Sequence, residues 1–102
     1  MTAFCEEADK DDSIIMMIEN QCEEDSEVIK MEIDSVNDAR LKVCLDIGHA
    51  HCNSNMLVED WIKTLNNRIA YYHLHNNHGK QTLYGFNKDD EHLAIHDGTI
   101  NI

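Results

Sequence analysis

The stretch YYHLHNNHG (71–79) places three imidazoles, His73, His75 and His78, within nine positions. Imidazole is the commonest metal ligand and carries protons near neutral pH. Three other short stretches combine carboxylates or imidazoles in the same way: Glu19 in IEN, Asp46 and His49 in DIGHAH, and Asp90 and His92 in DEH. Carboxylate with imidazole suits Zn²⁺, Mn²⁺, Co²⁺ or Fe²⁺, whereas carboxylates alone favour Mg²⁺ or Ca²⁺. A metal held by such a set polarises a carbonyl or acidifies a bound water. The expected cofactor is therefore a divalent metal (Zn, Mn, Co or Mg), with Zn or Mn favoured. Cys5, Cys22, Cys44 and Cys52 show no CxxC spacing and none falls at a ligand position, so no Cys-rich zinc site is expected. They read as four reduced thiols, with Cys44 packing as a small hydrophobe.

The elements that must position these residues are legible as changes of period. SIIMMIEN (13–20) reads as a strand buried on both faces. In CEEDSEVIKMEIDSVND (22–38) the spacing predicts a helix with Val28, Ile29, Ile33 and Val36 on one face, and Asp25 or Ser26 as its N-cap. RLKVCLDIGHAH (40–51) is a second strand, punctuated by Gly48. NSNMLVEDWIKTLNNR (53–68) is a second helix, capped by Ser54 or Asn55, with Val58, Trp61, Ile62 and Leu65 as its core stripe. IAYYHLHNN (69–77) is a third strand, 78–90 a loop, and 91–102 ends in an Asp97-Gly98 turn.

This order predicts an α/β fold of about three parallel strands joined by two right-handed crossover helices. In such folds, sites form at the C-terminal ends of the strands. Glu19 ends the first, Asp46 and His49 the second, His73 and His75 the third, and Asp90 and His92 follow in the loop. Side chains two apart on a strand share a face, so His73 and His75 should point into one cleft. Each residue also has a plainer reading. Glu19 serves equally as a helix-start carboxylate, and Asp46 and His49 as caps of a strand-to-helix turn. One of His73 and His75 reads as an outer group or a substrate contact. His51, His78 and His96 read as surface or outer groups.

A chain of 102 residues holds one domain of ordinary size. Residues 1–12 read as an acidic tail or frayed helix, and 13–102 as the domain. Net charge is −12, and residues 1–38 alone carry 13 acidic against 2 basic side chains. Such a surface is poorly suited to nucleic acid or an anionic membrane. No apolar run of bilayer-spanning length and no secretory leader is visible, so a cytoplasmic protein is expected.

Together, IEN, VCLDIGHAH, HLHNNHGK and DEHLAIHDGTI, in this order and at these separations, resemble the xylose isomerase-like TIM barrel superfamily over roughly Ile14 to Ile102. That superfamily includes sugar phosphate isomerases and epimerases, and zinc-dependent apurinic endonucleases. The resemblance implies a partial (β/α) TIM barrel, since eight βα units need roughly 250 residues. It implies Glu19 as a bridging metal ligand and acid/base, Asp46 and His75 as ligands, and His49 as a ligand to a second metal or a substrate contact. Asp90 and His92 match a pair that holds an extra metal in the endonucleases. His73 and Asn77 would lie just outside the ligands. Where relatives often read Asp-Asn-Asp, this chain has Asn76, Asn77 and His78; His96 stands where Gly is common. The implied activity is isomerisation or epimerisation of a sugar or sugar phosphate by proton transfer on a metal-bound substrate. The alternatives are an apurinic-endonuclease-like zinc phosphodiesterase and a non-catalytic metal-binding half-barrel. Three strands with open edges also predict a homo-oligomer, or association through those edges.

Overall fold

The computed structural model describes residues 14–81 and 86–102; the predicted tail 1–12, Cys5 and Gly85 lie outside them. Strands β1 (Met16–Glu19), β2 (Leu41–Asp46) and β3 (Ile69–His73) form a parallel sheet in the order β1-β2-β3. Helix α1 (Ser26–Val36) connects β1 to β2. Helices α2 (Ile47–Asn53) and α3 (Val58–Leu65), with a 3₁₀ turn at Asn66–Arg68, connect β2 to β3. A short helix, α4 (Phe86–Asp89), precedes the C-terminal segment, so the predicted 78–90 loop is partly helical.

β2 is central, and its alternation sets the layers. Leu41, Val43 and Leu45 enter the core with Ile29 and Ile33 of α1 and Trp61 and Leu65 of α3. Lys42, Cys44 and Asp46 therefore belong to the opposite face. Asp25 starts α1 by accepting the Glu27 N–H at 2.9 Å, as an N-cap does. Asn37 ends it in the left-handed region at φ 53°, donating to the Ile33 carbonyl at 3.3 Å.

Several expectations are corrected. The first strand is not buried on both faces: Met16 and Met17 are exposed. Helices cover only one face of the sheet, and β1 is an edge. For the same reason Tyr71 and Tyr72 of β3 are exposed. Val28 and Ile62 turn outward, because the core stripes are narrower than predicted: Ile29, Ile33 and Val36 in α1, and Val58, Trp61 and Leu65 in α3. The predicted second strand stops at Asp46, and the next seven residues are α2. Ser54 is therefore the C-cap of α2 rather than the N-cap of the following helix. Its hydroxyl donates to the Ala50 carbonyl at 2.6 Å and accepts the Trp61 indole N–H at 2.8 Å. Leu57 occupies the N-cap of α3 without a side-chain cap bond. No helix among the described residues is long and apolar enough to cross a membrane.

Candidate metal centre

The C-terminal ends of β1 and β2 are tied by a buried asparagine. Asn20 is 1% exposed. Its Oδ1 accepts the Asp46 N–H at 2.8 Å, and its Nδ2 donates to the Asp46 carbonyl at 3.0 Å. Asp46, fixed by its own backbone, then caps α2 through Oδ1 and the His49 N–H at 2.9 Å. This places His49 in the first turn of α2. Its Nδ1 lies 2.8 Å from the Asn20 carbonyl, which can only accept, so Nδ1 carries the proton. The lone pair of Nε2 is left facing Asp90 Oδ2 at 3.1 Å. Burial alone would push the His49 pKa down. The Asn20 carbonyl and the charges of Asp46, Asp90 and Glu19 outweigh it and hold the pKa above the ordinary 6.5.

His75 lies past the end of β3, and its Nε2 is 2.6 Å from Asp46 Oδ1. The carboxylate accepts, so Nε2 donates and Nδ1 presents a lone pair. That Nδ1 is buried without a hydrogen-bond partner, as is Asp90 Oδ1, and the two are 3.9 Å apart. Gly48 makes the approach possible. A Cβ there would overlap the His75 ring, lying 2.6 Å from Nε2 and nearer to the atoms beside it. His92, at φ 55°, brings Nε2 to 3.2 Å from Asp90 Oδ2. Its ring stacks on His75 with centroids 4.1 Å apart and planes 7° apart.

What delivers His92 is the buried Asn76. Its backbone pairs with Leu93 in an antiparallel bridge. Its side chain donates to the carbonyls of Ile95 and Ile100 at 2.7 and 3.1 Å and accepts the Ile100 N–H at 3.0 Å. The C-terminal segment is thereby folded back over the strand ends. Asn77 supports the same wall, donating to the Gly48 carbonyl at 2.9 Å and accepting the Gly79 N–H at 2.8 Å.

Donor atoms of His49, His75, Asp90 and His92 all lie within 4.8 Å of one another. Tetrahedral zinc holds ligands about 2.0–2.1 Å away, hence about 3.4 Å from each other, so modest inward shifts would seat an ion. The remaining ring nitrogens of His49 and His75 are tethered to a carbonyl and a carboxylate, the outer contacts that orient metal-bound imidazoles. The donor set and its two orphaned atoms fit a divalent metal. A second grouping, Glu19, Asp46 and His49, shares His49 with the first.

The predicted residues thus converge, with one correction. β3 ends at His73, yet His73 and His75 flank the same carboxylate: His73 Nδ1 contacts Glu19 Oε2 and lies 3.9 Å from Asp46 Oδ2, and His75 reaches Asp46 Oδ1. The thiols are not all remote from ligand positions. The register pairs Glu19 with Cys44, and a third grouping joins Glu19, Cys44 and His73. Burial, then the charges of Glu19 and Asp46, raise the Cys44 pKa. His78, bonded to Glu91 at 2.9 Å, and His96 are exposed, whereas His51 is half-buried and bonds Thr99 at 2.7 Å. Sequence reasoning missed Asn20 and the packing role of Gly48. Asn20 follows Glu19 directly in IEN, but a buried asparagine has no periodic signature.

Among curated proteins, the chain is similar to an uncharacterized protein of Methanocaldococcus jannaschii, with 40% identity over 65 residues. The match covers 64% of this chain and 22% of the relative, so the chain spans about a fifth of that protein's length. No family model matches the sequence, and no solved structure matches it.

Proposed function

We propose that the chain carries strand ends of a xylose isomerase-like barrel whose divalent metals, zinc or manganese by preference, act on a phosphate ester of a sugar. The observation that carries this reading is the meeting of Asp90 and His92 with His49, beside the buried, unpartnered His75 Nδ1 and Asp90 Oδ1. In the superfamily this resembles, the Asp-x-His pair holds an extra metal in apurinic endonucleases. Metal-assisted hydrolysis of a phosphodiester is therefore the reading favoured. Adjacent bound metals would supply an acidified water and charge stabilisation at the attacking and leaving oxygens. His49 belongs to both donor groupings, and Asp46 of the second contacts His75 of the first. Asn20 and Asp46 hold the imidazoles of His49 and His75 in ligating orientation.

A second reading is proton transfer between adjacent carbons of a sugar phosphate. The charge of −12 favours it, since a small ligand needs less basic surface than a nucleic acid. Glu19 would move the proton. We also propose that the chain acts in the cytoplasm and associates through the exposed β1 and β3 edges.

The test begins with elemental analysis of the purified chain after dialysis against zinc or manganese. At least one ion per chain is expected, with one ion fewer in His75→Ala and a reduced content in Asp46→Ala; no ion in the wild type, or wild-type content in both variants, overturns the proposal. The loaded chain is then assayed on a duplex with an abasic-site analogue and on aldose and ketose phosphates. Chelator-sensitive cleavage supports hydrolysis, and interconversion supports the isomerase. Metal binding with neither activity identifies a non-catalytic metal-binding half-barrel. Sedimentation with and without chelator reads the association.

A further inference from the structure

The sheet face that carries Cys44 and Asp46 holds a second donor set, which shares no residue with His49, His75, Asp90 and His92. Glu19 closes β1, Cys44 lies within β2, and His73 closes β3. The parallel register fixes them side by side: Glu19 opposite Cys44, and His73 opposite Asp46, which stands two residues beyond Cys44 on the same face. A carboxylate oxygen, the Cys44 sulfur and a His73 ring nitrogen lie within 4.8 Å of one another. All three backbones are in paired strands, so the juxtaposition does not depend on a loop. The sulfur is a free thiol on a residue 5% exposed, while the His73 side chain is 50% exposed.

We propose that Glu19, Cys44 and His73 form a separate, thiolate-containing metal site that takes a borderline-soft divalent ion, zinc or cobalt, in preference to magnesium or manganese. The preference follows from the sulfur, since soft ligands select such ions. Binding forms a metal–sulfur bond and releases the thiol proton to solvent; no electron is transferred. Three protein donors leave the fourth tetrahedral position open, the arrangement of reactive rather than structural zinc sites. The half-exposed His73 side chain would leave that position open to solvent. Tyr71, whose ring meets the His73 imidazole edge-on at 6.0 Å, flanks it. Since the histidine-rich set uses His49, His75, Asp90 and His92, the two sites can be filled together. The inference shares Glu19 with the Glu19, Asp46 and His49 grouping, but its test reads the sulfur ligand and does not depend on which reaction the histidine-rich centre performs.

Cobalt titration of the whole chain tests it. Cobalt bound by nitrogen and oxygen alone gives weak visible bands; a thiolate ligand adds an intense near-ultraviolet charge-transfer band. The wild type is expected to develop that band. Cys44→Ser should lose it, His73→Ala should lose or shift it, and Cys52→Ser should leave it unchanged. His73→Ala removes a half-exposed side chain, so it keeps the test decisive if Cys44→Ser unfolds. Visible bands without the charge-transfer band overturn this inference and leave the histidine-rich centre standing. Survival of the band in Cys44→Ser, or its indifference to His73→Ala, overturns it as well. Absence of any cobalt spectrum overturns both sites.

Discussion

Gly48→Ala sets two effects of opposite sign against each other. Gly48 lies in α2, where alanine is favoured over glycine by about 1 kcal/mol on propensity alone. The new Cβ, however, would lie 2.6 Å from His75 Nε2 and nearer still to its neighbours in the ring. The obstacle is an imidazole held on Asp46 at 2.6 Å, not the free end of a flexible chain. Moving it breaks a hydrogen bond to a charged group, worth about 1.5–3 kcal/mol. The clash therefore wins, and the variant is expected to lose about 0.5–2 kcal/mol of stability.

The effect on metal should be sharper, since the same displacement removes the His75 donor and its Asp46 tether. Zinc affinity should fall about ten- to hundredfold, or about 1.4–2.7 kcal/mol. Titration calorimetry with zinc and urea denaturation of the metal-free protein read the two quantities separately. A variant about 1 kcal/mol more stable than wild type, with unchanged zinc affinity, would refute the reasoning. The ring would then be swinging aside freely, and the close approach of Gly48 and His75 would not be part of the centre.

In the metal-free protein, the raised pKa of His49 means that its protonated form adds stability in full below the ordinary 6.5. That contribution is lost as pH rises through the folded value, so the stability difference between wild type and His49→Gln should shrink across that window in urea titrations. Zinc affinity should run the other way, falling as pH drops through the same value, because proton and ion compete for the Nε2 lone pair. Asn20→Ala strands the buried N–H and carbonyl of Asp46; a loss of about 2–4 kcal/mol is expected by denaturant melts, with weaker zinc binding in calorimetry. Trp61→Ala empties a fully buried site, and should cost about 3–5 kcal/mol by thermal denaturation while leaving zinc stoichiometry intact.

The alternation of apolar runs and amphipathic stretches carried the parallel β-α-β-α-β order into view, because it follows directly from which faces must be buried. What the alternation could not convey is how much of each face is covered. The run at Ile15, Met16 and Met17 reads as doubly buried, yet an edge strand with helices on one side leaves it open. Likewise Val28 and Ile62 fit a helical stripe in one dimension, but the width of that stripe depends on the neighbouring helix. The ligand candidates at strand ends were legible because polar residues there interrupt apolar runs. The roles of Asn20, Asn76 and Gly48 were not, since they arise from contacts between segments far apart in sequence: Asn20 with Asp46, Asn76 with Ile100, Gly48 with His75. Cys44 is buried, as its apolar strand implies, but only the register with Glu19 brings its sulfur near other donors.

The charge balance at the strand ends argues for a cation on grounds apart from geometry. Glu19, Asp46 and Asp90 converge with the rings of His49, His73, His75 and His92. Three carboxylates gathered at one end of the sheet repel one another, and the stacked rings of His75 and His92, with centroids 4.1 Å apart, both lie near the one carboxylate of Asp90. A divalent ion would relieve that repulsion. The lone pairs that the tethers to Asn20 and Asp46 turn inward, together with the orphaned Asp90 Oδ1, would hold it. Removing the ion by chelation should therefore loosen this corner before the rest of the fold. Amide exchange should quicken at 90–95 and around Asn76, while Val43 and Trp61 in the core stay protected.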